Sequence, residues 1–258
     1  MARRSLTTRL PPPFLKRVWL DPARVARPEA YPFCLPVFRG GDFEILFERP
    51  ITIVVGENGA GKSTLLEGIA ALCGFDVAGG SRDHRPLDHA EALATDGDAL
   101  APALRAAWLP KVAGGWFFRA ESVFSVARSL DAVNGAQAPD YLSRSHGEGV
   151  LRVFRERCLR QGVFLFDEPE AALSPRRQVT FLALLREMER MRAAQVIIAT
   201  HSPILMAYPG AALMAVTRAG LAPVRLGDTA HFRLYREFCD DPELFVEAAL
   251  AAEEPSES

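Results

Sequence analysis

The sequence carries no surplus of charge of either sign: 30 Lys and Arg stand against 32 Asp and Glu in 258 residues, a net −2. A chain so balanced offers no whole-molecule attraction to nucleic acid or to an anionic membrane, and any such contact needs a local patch. No apolar run approaches the roughly 20 residues that cross a bilayer, so the chain is not expected to span a membrane by itself. Cysteine is scarce and scattered; Cys34, Cys73, Cys158 and Cys239 form no C-x-x-C and have no neighbouring His pair. That spacing indicates neither a zinc site nor a disulfide framework, and reads as free buried thiols in a reducing cytoplasm. Arg3, Arg4 and Arg9 lead into Pro11-Pro12-Pro13 and not into an apolar stretch, so no signal peptide is read there. Repeats, heptads and long low-complexity segments are missing as well. Lysine is nearly absent: Lys16, Lys62 and Lys111 are the three among 30 basic residues.

What is present is an ordinary globular composition, 49% hydrophobic, enough for one large core or two modest ones. Residues 1–13 read as a flexible basic lead and 251–258 as a solvated tail, with one continuous domain over 14–250. Strands are expected at 14–20, 42–48, 51–55, 163–166 and 195–199, and a closing hairpin at 211–217 and 221–226. Helices are expected at 63–73, 121–134, 147–161 and 174–192, the last with Val179, Leu182, Leu185 and Met188 inward. The segment 74–110 reads as loops with a short helix. Apolar strands alternating with helices indicate an α/β sheet covered on both faces.

One of the three lysines lies in the most informative stretch. Gly56-Glu57-Asn58-Gly59-Ala60-Gly61-Lys62-Ser63-Thr64 follows the apolar run 51–55 and opens a helix, meeting the pattern G-x-x-x-x-G-K-[ST]. Glycines let main-chain N–H groups turn inward around an anion, and the helix start presents its positive dipole end to the same phosphates. Lys62 would reach the outer phosphates and Ser63 would ligate Mg²⁺.

Further on, residues 163–166 form an apolar strand ending in Asp167 and Glu168. A rigid strand tip suits Asp167 to hold Mg²⁺ or its water, and Glu168 to face an attacking water. His201 ends another apolar strand 34 residues after Asp167, where it could donate to a γ-phosphate. Ser145-His146-Gly147-Glu148-Gly149 opens a helix and reads either as a second anion-binding start or as a plain N-cap.

In this order the elements resemble the ABC-type ATPase family. The resemblance makes 56–64 a Walker A loop, Ser145 to Gly149 a variant signature motif, 163–168 the Walker B strand, Glu170 to Pro175 the D-loop and His201 the switch histidine. It implies a P-loop fold of ABC-ATPase type: a mostly parallel central sheet, an antiparallel β edge and a small helical subdomain near 75–160. It also implies ATP as substrate, Mg²⁺ as cofactor and a head-to-tail homodimer. In that dimer Ser145, His146, Gly147 and Glu148 contact the partner's ATP while Glu168 serves as base. Transporter members typically carry a glutamine between Walker A and signature; here 115–122 reads Gly-Trp-Phe-Phe-Arg-Ala-Glu-Ser, where Glu121 could take over as a metal-water ligand or simply cap a helix. Tyr31 and Phe33 are candidate adenine stackers or core residues.

The motif wording is similar to a group of small stand-alone bacterial AAA-family or ABC-like ATPases near the chromosome-maintenance and RecF-like heads. Only 105 residues separate Lys62 from Asp167, which leaves no room for long coiled-coil arms. The expected activity is Mg-dependent ATP hydrolysis by a cytoplasmic protein whose client is open. The alternatives are the ATP-binding subunit of a membrane transporter and a DNA-maintenance or defence ATPase.

Overall fold

A computed structural model describes residues 8–39, 42–82, 100–119, 146–217 and 219–253. Nine strands among them make two sheets. The outer sheet is antiparallel, with β1 (Leu15–Leu20) between β2 (Glu44–Leu46) and β4 (Leu104–Trp108). The central sheet runs β5 (Gly115–Arg119), β6 (Gly162–Asp167), β7 (Ala194–Ala199), β3 (Ile51–Val55), β8 (Ala212–Thr217), β9 (Gly220–Pro223). Its pairings are parallel except for the β8–β9 hairpin at one edge.

The central strands are largely apolar because both of their faces are covered. Period-two alternation sorts their side chains. Phe164, Phe166, Val196 and Ile198 enter one cluster with Phe154 and Phe181, while Val163, Leu165, Ile197 and Ala199 enter another with Leu65, Ile69 and Val18. The first cluster is closed by α2 (His146–Cys158) and α3 (Pro175–Met191), the second by α1 (Lys62–Cys73) and the outer sheet. Phe166 holds the first together, with ring centroids 4.9 Å from Phe118, 5.0 Å from Phe154 and 5.0 Å from Phe181. The short α4 (Pro203–Met206) follows β7, and α5 (Ala230–Asp240) and α6 (Pro242–Glu253) complete the described chain.

Backbone proximity, not side-chain size, selects glycine at the start of β5. Gly115 has φ +144°, and a Cβ there would strike the Val163 carbonyl of its register partner in β6. The two sheets are sewn together by one side chain: Gln195 in β7 is fully buried, its Oε1 accepts from Phe14 N and Leu15 N, both at 2.8 Å, and its Nε2 donates to Leu15 O at 2.9 Å.

Several expectations change on contact with the structure. The stretch 74–110 contains β4, an Ala-rich strand whose pairing with β1 overrides its weak local preference. Val179 is 57% exposed, and Phe181 and Leu184 join Leu185 and Met188 in facing the core. Thr8 to Pro13 are anchored, with Thr8 N donating to Gln161 Oε1 and Pro12 and Pro13 buried. At the other end α6 runs to Glu253. Of the four thiols, Cys73 and Cys158 are buried but Cys34 and Cys239 are exposed. The expected helix 121–134, Glu121 and Ser145 lie outside the described residues.

Candidate functional site

Parallel pairing brings the C-terminal ends of β3, β6 and β7 side by side. Ala199 is the register partner of both Val54 and Asp167. Such strand ends are where open α/β sheets place ligands, because the loops leaving them diverge and open a crevice.

From β3 the chain turns through 56–61 into α1. Gly61 is the residue before the helix and has φ +96°; a Cβ on it would come 2.6 Å from Val37 Cγ1. Glycine is therefore needed twice, for the left-handed backbone and for contact with the 3-10 turn Pro36–Phe38. Val37 N donates to Ala60 O at 3.1 Å, closing the same contact. Glu57, Asn58 and Gly59 form the exposed rim, and Ala60 is buried. Lys62 is 4% exposed, and its ammonium donates to the carbonyls of Gly56 at 2.8 Å and Glu57 at 3.0 Å. Burial lowers the Lys62 pKa, against the pull of Glu168, Asp167 and Glu57. Thr64 Oγ1 lies 3.1 Å from the Tyr31 hydroxyl, so Tyr31 sits beside the loop. Phe33 packs against the cluster on the α1 side of the sheet.

Ser63 Oγ donates to Asp167 Oδ1 at 3.0 Å, so the first turn of α1 and the tip of β6 meet directly. Asp167 is 6% exposed, and burial pushes its pKa up to about 7, opposed by Arg119 and by the Ser63 hydrogen bond. Arg119, the register partner of Asp167 at the end of β5, has Nε 3.9 Å from Asp167 Oδ2 and donates through Nη1 to Glu67 Oε1 at 2.6 Å. Sequence reading missed both Arg119 and Glu67. The signals were there: Glu67 stands one helical turn after Ser63, and Arg119 closes an apolar strand where a buried cation needs an anionic partner.

The Asp167 shift fixes a pH effect. Between the ordinary 3.8 and about 7 the folded protein keeps this proton and the unfolded chain releases it. Stability contributed by the group therefore falls as pH rises through that window and levels off above it. Asp167→Asn cannot ionise, so without divalent cations it is expected to melt above wild type at about pH 8, and the advantage should shrink toward about pH 5. Thermal melts at the two pH values decide it, and an equal gap at both would rule out titration of Asp167.

Glu168 leaves β6 in the left-handed region, φ +48°, with its N–H bonded to Ala199 O at 2.9 Å and its side chain 43% exposed. A non-glycine residue held there is strained, as is common where a side chain must be aimed. Its Oε1 is 3.6 Å from His201 Nε2. His201 N donates to Glu170 Oε1 at 2.6 Å, and burial raises the Glu170 pKa. His201 itself is held below its ordinary pKa by burial and by Lys62. Its Nδ1 lies 2.9 Å from His231 Nε2, a residue that no sequence motif picked out.

The structure thus brings together 56–64, Asp167, Glu168 and His201. Gly147 and Glu148 stand with a different set of neighbours: a Cβ on Gly147 would lie 3.4 Å from Ala172 O, and Glu148 Oε2 is 3.4 Å from Arg177 Nη2. His146 is the first residue of α2.

Comparison with known proteins adds the following. Residues 138–207 match a family model described as "AAA domain, putative AbiEii toxin, Type IV TA system", and residues 35–100 match one described as "AAA domain". The cytochrome c biogenesis ATP-binding export protein CcmA of Rhodopseudomonas palustris (strain HaA2) is 31% identical over 179 residues, covering 65% of this chain and 86% of that protein. The hemin import ATP-binding protein HmuV of Pseudomonas aeruginosa is 35% identical over 177 residues, covering 57% of this chain and 65% of that one. Among solved structures, the SMC head domain from Thermotoga maritima aligns with a TM-score of 0.48 at 18% identity, over 82% of this chain and 99% of that one.

Proposed function

The chain belongs to the ABC-type ATPase family, whose members bind and hydrolyse ATP, and from that premise we propose that residues 56–64, Asp167, Glu168 and His201 form half of a Mg-dependent ATP site that a second copy completes. The observation that carries this reading is the meeting of three strand ends: Lys62 and Ser63 after β3, Asp167 and Glu168 at β6, His201 after β7.

In this reading the N–H groups of 56–64 and the N-terminus of α1 cradle the phosphates, and Lys62 turns its ammonium from the Gly56 and Glu57 carbonyls to the outer phosphate oxygens. The Ser63 hydroxyl and the Asp167 carboxylate, 3.0 Å apart, are hard oxygen donors of the kind that hold Mg²⁺ through one or two protein ligands. Bound there, Mg²⁺ would neutralise charge on the phosphate oxygens. Arg119 and Glu67 hold the Asp167 carboxyl in place from behind. Glu168 takes the proton as water oxygen bonds to the γ-phosphorus and the bond to the β-phosphate oxygen breaks. His201 Nε2 donates to a γ-phosphate oxygen. Glu121, two residues beyond Arg119, keeps its proposed part as a metal-water ligand.

The segment Ser145 to Glu148 then serves the partner's ATP, with the N-terminus of α2 offering its positive end. No helix among the described residues is long and apolar enough to cross a membrane, which suits a cytoplasmic ATPase. The two ATP-binding relatives named for export and import favour a second reading as a transporter subunit. Stable co-purification with an integral membrane protein in detergent would select it.

The test is phosphate release and solution mass of the purified chain. With ATP and Mg²⁺ we expect turnover that EDTA abolishes, and dimer mass by light scattering at saturating ATP. Absence of Mg-dependent turnover would remove the proposed site; turnover by a chain that stays monomeric would remove the second copy from it.

A further inference from the structure

His231 lies outside every motif considered above and beyond the 138–207 family match, yet it touches the catalytic cluster. Its position is set by the start of α5. Thr229 caps that helix, Oγ1 accepting from Phe232 N at 3.3 Å and donating to Leu226 O at 2.8 Å, and α5 packs against α4, the helix that follows His201. His201 is fixed independently through its main chain, where Glu170 Oε1 accepts from the backbone N–H. Two separately anchored imidazoles therefore meet, Nε2 of His231 to Nδ1 of His201 at 2.9 Å, with ring planes inclined at 59°.

The other nitrogen of His201 decides what this contact does. Among the described residues His201 Nε2 is screened from solvent, has no hydrogen-bond partner, and lies 3.6 Å from Glu168 Oε1. Burial and Lys62 disfavour the imidazolium, while Glu168 and Glu57 pull the other way without reversing the balance. A neutral ring has one N–H to place. If His201 donated from Nδ1, its bare Nε2 would face carboxylate and phosphate oxygens, lone pair against lone pair. If His231 donates, the proton of His201 sits on Nε2 and points at acceptors. The tautomer of a histidine is set by what its second nitrogen meets.

We infer that His231 is a positioning residue for ATP hydrolysis: its Nε2–H donates to His201 Nδ1 and holds the His201 proton on Nε2, the atom facing Glu168 and the phosphate site. This rests on the reading of His201 as the donor to the γ-phosphate. It also gives α5 a line to the chemistry, since displacement of this helix withdraws the donor that sets the tautomer.

The test uses the full chain and the variants His231→Ala, His231→Gln, His201→Ala and the double alanine variant. His231→Ala should lower kcat roughly ten- to hundredfold with KM for ATP little changed, the size of effect seen when the hydrogen-bond partner that orients a ligating histidine is lost. His231→Gln should recover most of that loss, because its amide N–H can donate from the same place. In the His201→Ala background, removal of His231 should cost nothing further. In ¹⁵N NMR spectra near neutral pH, wild-type His201 should carry its proton on Nε2. A His201 proton found on Nδ1, or full additivity in the double variant, would overturn the inference while leaving His201 its role. Wild-type turnover in His201→Ala would instead overturn the underlying reading of His201. Should His231→Ala fail to fold, the Gln variant and the wild-type spectrum still decide.

Discussion

Glu168→Gln should hydrolyse ATP about 10²–10⁴-fold more slowly than wild type while still binding it. Gln keeps the length and shape of the side chain but cannot accept a proton from water, so the loss should fall on kcat and spare nucleotide affinity. The position makes the substitution informative. Glu168 is held with φ +48° by its N–H bond to Ala199, and that constraint is in the backbone, not in the carboxylate. The neighbouring site should therefore survive the change. If a second copy completes the site as proposed, blocked hydrolysis should leave ATP held between two heads, and light scattering should show a dimer at ATP concentrations where wild type is monomeric. Steady-state phosphate release retained above a tenth of wild type would show that another group takes the proton.

Lys62→Met should abolish detectable ATP binding and lower turnover by about 10²–10³-fold or more. Lys62 is a buried cation that faces Asp167, Glu168 and Glu57, and without it a polyphosphate would meet those carboxylates with less positive charge to offset them. Two effects on stability oppose each other. The ammonium loses its desolvation cost, whereas the Gly56 and Glu57 carbonyls lose their donor. The net shift in melting temperature should be small, which separates loss of function from loss of fold. Calorimetric titration with ATP and a thermal melt of the same preparation check both halves. Tight ATP binding by Lys62→Met would mean that loop N–H groups and the α1 terminus suffice.

The residues that could be read from sequence are those whose partners lie nearby in the chain or whose spacing is dictated by a ligand. Gly61 and Lys62 are of this kind, because the G-x-x-x-x-G-K-[ST] spacing puts a left-handed glycine directly before the lysine that opens a helix, as it does here. Asp167 was legible from the strand that ends in it. Arg119, Glu67 and His231 were not, since each acquires meaning through a partner 30 or more residues away: Arg119 meets Glu67 across 52 residues and His231 meets His201 across 30. The strand β4 was hidden for a similar reason; Leu104–Trp108 is short and rich in alanine, and only pairing with β1 makes it a strand. Val179 shows the opposite error, an apolar residue counted inward that the helix turns to solvent. Leu184 and Phe181 fill the face assigned to it.

Gln195 has a consequence for how the chain is made. The amides of Phe14 and Leu15 find their acceptor 181 and 180 residues later in sequence, and β3 finds its neighbours β7 and β8 only once Ala194 and Ala212 have been made. At 5–20 residues per second a ribosome needs roughly 10–40 s to deliver that glutamine after β1 has emerged. Throughout that interval α1, β2 and β4 can already cover β1, but the Phe14 and Leu15 amides lack their acceptor and β3 lacks both sheet neighbours, and parallel pairing over such separations forms slowly once it can. The central sheet therefore closes only after Gln195 has been made, whereas every strand of the outer sheet is in hand by Trp108.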